Sequence, residues 1–136
     1  MRRKKTYMDE AERIANDYRI SDELSTSQIK GLTRTAHSLS RIDDLFPYLE
    51  RKEKRSESGK GWSKECPGKS LAQSIREFID RQVRSDADAI NTLSQDLPVE
   101  NQELAKIKEE AGIILTREFM EYLSGWADIQ AEKLLG

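Results

Sequence analysis

One cysteine, one histidine and three prolines in 136 residues leave little for covalent or metal chemistry to use. Cys66 alone cannot build a disulfide framework, and its solitude agrees with a reducing cytoplasm. Cys66 and His37 together cannot supply a zinc cluster, and nothing spaces them as ligands, so neither metal nor other cofactor is expected. Long apolar runs are also missing: none approaches the roughly 20 residues of a membrane span. The opening MRRKKTYMDE is basic with no apolar segment behind it, so no secretory leader is expected. Seven glycines and three prolines, set among periodic aliphatic residues, argue against a disordered chain. The alternation of a β-strand is not persuasive anywhere.

What the chain has is charge. Charged residues make up 35%, hydrophobic ones 36%, and the mean hydropathy is -0.78. The length suits a single domain, 1–136, with a core of its own. The net charge of -2 hides a division. Residues 1–84 hold 19 Lys and Arg against 14 Asp and Glu, a net of +5, while residues 85–136 hold 4 against 11, a net of -7. Such segregation steers an anionic partner to one end, or pairs neighbouring copies tail to head.

The periodicity predicts an all-α, compact bundle of about five helices. Thr6 caps a first helix over 7–18, with Tyr7, Ala11, Ile14, Ala15 and Tyr18 inward. A second runs over about 26–45 on Ile29, Leu32, Ala36 and Leu39, its stripe continuing through Ile42, Leu45, Phe46 and Leu49, with Pro47 as the interruption. Asp43 and Asp44 are placed to cap a helix restarting there. Residues 51–69, RKEKRSESGKGWSKECPGK, carry 7 Lys and Arg against 3 Glu and read as a helix end followed by a basic flexible loop, about 56–69. Helix resumes near Ser70 with Leu71, Ile75, Phe78, Ile79 and Val83 inward. It either continues through Ile90 and Leu93 or restarts at Ser85, and Pro98 ends it. The last helix spans about 100–134 on Leu104, Ile107, Ala111, Ile114, Leu115, Phe119, Tyr122, Leu123, Trp126 and Ile129, with Gly112 and Gly125 marking a bend or a close contact.

The residues offer no enzyme site. A Cys66–His37 nucleophile pair lacks catalytic context, GKGWSKECPGKS lacks the strand and spacing of a phosphate loop, and the carboxylate pairs at 43–44 and 109–110 are ordinary helix-surface charges. No small-molecule substrate is expected. Trp62, among lysines, either stacks on a base or plugs a groove in its own fold. Trp126 belongs to the core or to a subunit interface. The distinctive feature is LSTSQIKGLTRTAHSL, residues 24–39, which contains no carboxylate. Lys30, Arg34, His37 and Arg41 recur three or four apart, off the apolar stripe, as one cationic ridge. Lys52 and Arg55, in RKEKR, follow it. Cations along one path track a phosphate backbone without reading sequence.

The stretch ISDELSTSQIKGLTRTAHSL resembles the amino-terminal signature of the small subunit of type III-A CRISPR–Cas effector complexes: a leucine, a Ser/Thr triplet, a polar residue, an aliphatic one and a cation opening a long helix. Here these are Leu24, Ser25, Thr26, Ser27, Gln28, Ile29 and Lys30. The family's usual arginine falls at Lys30, which keeps the charge and loses the bidentate fork. The closing LTREFMEYLSGWADIQAEKLLG is similar to the family's terminal helix, with Phe119, Tyr122 and Trp126 at its aromatic positions, and the type III-B small subunit ends comparably. The middle departs from the pattern: an arginine-rich central helix has only Arg76, Arg81 and Arg84 as counterparts. The resemblance covers about 40 of the 136 residues. It implies a cytoplasmic, non-catalytic protein that stacks head to tail as an inner filament, meets the other subunits, and cradles the crRNA–target RNA duplex while base pairing reads sequence. The residues also admit a small helix-turn-helix-like DNA-binding regulator, or a helical adaptor without nucleic-acid binding.

Overall fold

A computed structural model describes residues 2–93 and 101–135. Among these the fold is all-α, with α1 (Arg2–Tyr18), α2 (Ile20–Glu23), α3 (Thr26–His37), α4 (Leu45–Arg55), α5 (Leu71–Phe78), α6 (Arg84–Leu93) and α7 (Asn101–Leu135). Single 3₁₀ turns cover Ile42–Asp44 and Gly61–Ser63. A π-helical turn, Ile79–Val83, joins α5 to α6 without a break, so of the two continuations open to this helix the uninterrupted one is adopted. The end expected at Pro98 lies outside the described residues. α7 is the spine: α1, α2, α3 and α6 pack along it, while α4 and α5 pack on each other.

Hydroxyl caps start two helices. The Ser25 side chain accepts the Gln28 N–H at 3.2 Å, while the Gln28 side chain accepts the Ser25 N–H at 2.9 Å. Ser70 and Gln73 repeat this reciprocal pattern at the start of α5, at 3.1 and 2.9 Å. Thr6, by contrast, is inside α1, which begins four residues earlier at Arg2.

The helix expected over about 26–45 ends at His37, and that end is tied both locally, by the Ser38 hydroxyl donating to the Thr35 carbonyl at 2.9 Å, and from another element. Arg117 of α7 donates to the carbonyls of Ala36 at 3.1 Å and His37 at 2.9 Å, satisfying acceptors that a helix end leaves free. Pro47 does not interrupt a helix; it lies in the first turn of α4, where its missing N–H has no intrahelical partner to lose. Asp44 occupies the position before α4 without a capping hydrogen bond, so it marks the start by place rather than by bonding.

Three aromatic rings fasten α1, α5 and α7. Tyr7 meets Phe78 edge-on at 5.3 Å and Phe119 at 6.4 Å, and Phe78 lies 4.5 Å from Phe119. On α7 the buried side includes Ile113, Leu115, Thr116, Phe119, Met120, Leu123 and Ala127. Ile107, Ile114 and Ile129, expected on the buried stripe, are exposed: apolar residues cover more of this helix than one neighbouring layer can bury. Gly112 is the close contact. A Cβ there would overlap Ile42 Cδ1 and sit 3.2 Å from its Cγ1. Gly112→Ala is therefore expected to cost about 1–3 kcal/mol in urea unfolding, and Ile42→Val in the same chain is expected to recover part of it.

Tyr122 donates to Glu118 at 2.8 Å. Burial, that hydrogen bond and the charges of Glu118 and Glu121 push its phenol up to about 12. Because the folded pKa is raised, this contribution to stability is fully present below the unfolded value near 10 and is lost as pH climbs through about 12. Absorbance titration is expected to show a tyrosine ionising near 12, and Tyr122→Phe is expected to remove that step.

Candidate nucleic-acid interface

Lys30 and Arg34 stand one turn apart on the outer side of α3, both exposed, with no ion pair among the described residues. Ile29, Leu32 and Ala36 bury the opposite side, which fixes the outward direction of both cations. The neighbouring element is α4. A Cβ on Gly31 would lie 3.7 Å from the Tyr48 hydroxyl, so the two helices meet at that point in ordinary contact. Lys52, one turn after Tyr48, holds its ammonium 5.6 Å from the Tyr48 ring centre. Arg55 continues that side of α4 by helical spacing, and Arg51 precedes it by one turn; both are exposed. Of the acidic residues of α4, Glu50 pairs with Lys54 at 3.4 Å. Lys30 and Arg34 on α3 and Lys52 and Arg55 on α4 are thus four cations without ion pairs among the described residues, on two helices that approach each other at Gly31 and Tyr48.

Arg41 is separated from them, whereas His37 lies one turn past Arg34 on α3 and is exposed. The ridge expected over Lys30, Arg34, His37 and Arg41 needs helix through residue 41, and α3 stops four residues short. His37 turns to α7, its Nε2 3.1 Å from a Glu121 carboxylate oxygen. Arg41 lies in the connector, 3.7 Å from Asp43, which also pairs with Arg84. Tyr48 and Arg51 were missed by the sequence reading. The Arg51–Arg55 spacing was a usable signal, but the place of Tyr48 against Gly31 depends on the turn at 38–44.

The three central arginines do separate work. Arg76 lies 5.0 Å from the Phe46 ring centre and Arg84 5.5 Å, and Arg84 also bridges Asp43 and Asp80, the latter at 2.8 Å. Arg81 lines a cleft of about 500 Å³ with Arg13, Lys69, Glu77 and Cys66. Charges in this cleft answer each other: Lys69 bonds Glu77 at 2.5 Å and holds its carboxyl below the usual range, and Arg13 pairs with Glu10 and Asp17. His37 is not among the lining residues, so Cys66 has no imidazole beside it there.

The segment 56–69, expected as a flexible loop, is anchored from within. Trp62 is 1% exposed, which decides between its two readings: it plugs its own fold and offers no ring for a base. The Gly61 N–H donates to a Glu23 carboxylate oxygen at 2.8 Å, and the Ser63 hydroxyl donates to the Glu53 carbonyl at 2.9 Å. Pro67 and Gly68, the latter at φ 84°, turn the chain back so that the Cys66 N–H reaches the Lys69 carbonyl at 3.0 Å. Tyr18 closes the group, its hydroxyl 2.9 Å from the Lys69 carbonyl and 2.5 Å from Ser74 Oγ.

The stretch DYRISDELSTSQIKGLTRTA, residues 17–36, which superficially supplies the two helices and turn of a helix-turn-helix, folds as the end of α1, the four-residue α2 and then α3. Among the described residues no group of three or more His, Cys, Asp or Glu side chains is placed to hold a metal, and no helix is long and apolar enough to cross a membrane. Comparison with known families, with curated proteins and with solved structures finds no match.

Proposed function

We propose that this protein is a non-catalytic nucleic-acid-binding subunit whose α3/α4 face holds the backbone of an RNA duplex. The observation that carries the reading is the set of Lys30, Arg34, Lys52 and Arg55, contributed by two helices that approach each other at Gly31 and Tyr48 and without ion pairs among the described residues. Four cations on a fixed support match the spaced phosphates of a backbone and carry no base-reading geometry. The likeness of Leu24–Lys30 and of the closing segment to type III small subunits gives the finer form of the proposal. In that form the chain stacks head to tail beside a crRNA-bearing filament, contacts the other effector subunits in the cytoplasm and clamps the guide–target duplex.

The test compares labelled RNA duplexes of several unrelated sequences, first with the protein alone at low salt and then in the assembled effector complex, where repeated contacts raise the effective concentration. Equal affinity across sequences, lowered together by removal of Lys30, Arg34 and Lys52, supports the proposal. A strong preference for one DNA duplex would replace it with a regulator. Binding unaffected by the three substitutions would leave an adaptor.

A further inference from the structure

α7 has apolar side chains on two sides, and only one is covered. Ile107, Ile114 and Ile129 are 40%, 59% and 41% exposed, three of the four large hydrophobic side chains exposed among the described residues. A period of 3.6 residues sets them on the outward side, with Gly125 between Ile114 and Ile129. Gly125 is exposed, and a Cβ built on it would meet nothing within 4 Å. This contrasts with Gly112, which Ile42 requires to be small. A glycine inside a helix weakens it, and nothing among the described residues calls for one at 125. Close approach of a second backbone is what such a position permits.

The charge around these residues selects the partner. Glu110, Glu121 and Asp128 are exposed on the same side, within a region, residues 85–136, of net charge -7. We infer that the outward face of α7 docks a basic amphipathic helix of a partner protein. Its apolar residues lie on Ile107, Ile114 and Ile129, its backbone passes nearest at Gly125, and its Lys and Arg meet the flanking carboxylates. Nucleic acid is repelled by this face, and a second copy presenting the same face would set carboxylates against carboxylates. The inference does not rest on the RNA reading, because no residue of the α3/α4 surface takes part.

The isoleucines span roughly 33 Å at 1.5 Å per residue, so the probe is a labelled helical peptide of about 22 residues. It carries leucines spaced like Ile107 and Ile114 and lysines beside them; a control peptide replaces the leucines with serines. The protein is expected to bind the leucine peptide about tenfold more tightly than the control. Ile107→Ser/Ile114→Ser is expected to abolish that preference without changing the melting temperature, since both side chains are already exposed. Gly125→Ala is expected to raise the melting temperature by about 4 °C and to weaken peptide binding about tenfold. A purely structural role would not give these opposite signs. Equal binding of the two peptides, or full binding by the Ile107→Ser/Ile114→Ser protein, would overturn the inference. So would self-association of the unmodified protein that Ile114→Ser removes, since the occupant would then be a second copy.

Discussion

Trp62→Ala is expected to lower the unfolding free energy by about 3–5 kcal/mol, the cost of deleting a large buried aromatic side chain. Trp62 is 1% exposed in a 3₁₀ turn that packs against α2, α4 and α5. Small domains are stable by only about 5–15 kcal/mol, so this one change removes a large fraction of the total. The polar ties around it, Gly61 to Glu23 and Ser63 to the Glu53 carbonyl, depend on the same placement and loosen with it. Trp62→Phe is expected to cost less. It loses volume, but it also removes an indole N–H that is buried without a hydrogen-bond partner among the described residues. Urea unfolding followed by circular dichroism measures both variants. A change below about 0.5 kcal/mol for Trp62→Ala would return 56–69 to a loop independent of the core.

Lys30→Ala/Arg34→Ala/Lys52→Ala is expected to bind RNA duplexes about a hundredfold more weakly at moderate salt, by a similar factor for every sequence. Each lost phosphate contact flattens the slope of log affinity against log salt by roughly 0.7 to 0.9, so three contacts remove about 2 to 3 from it. Lys30 and Arg34 are exposed and Lys52 is half-buried against Tyr48, so the melting temperature of the variant is measured beside its affinity. The informative control is His37→Ala/Arg41→Ala. Those side chains already face Glu121 and Asp43, so their removal is expected to change affinity by less than about threefold. If this control weakens binding as much as the triple variant, the footprint follows α3 into the connector, and the α3/α4 surface is not the interface.

The fold class was legible in the sequence because helix signals are local. Ile29, Leu32 and Ala36 recur at helical spacing and are buried, and the Ser25–Gln28 and Ser70–Gln73 caps form between residues three apart. Lys30 and Arg34 were legible as an exposed pair for the same reason: the apolar stripe of their own helix points them outward.

Tertiary structure decided what no neighbour in sequence could. Arg117, some 80 residues away, takes the last carbonyls of α3, and with the helix ended there Arg41 leaves the ridge while α4 approaches α3 where Tyr48, one turn before Lys52, meets Gly31. Trp62 carried no local sign of burial, because the pocket that takes it is assembled from α2, α4 and α5. On α7 the apolar pattern showed that the helix is long and broadly hydrophobic. Only the number of elements available to pack on it determined that Ile113 and Met120 are covered while Ile107, Ile114 and Ile129 are left outside. Periodicity sets the direction of a side chain from its own helix, whereas burial depends on what the rest of the chain brings to that direction.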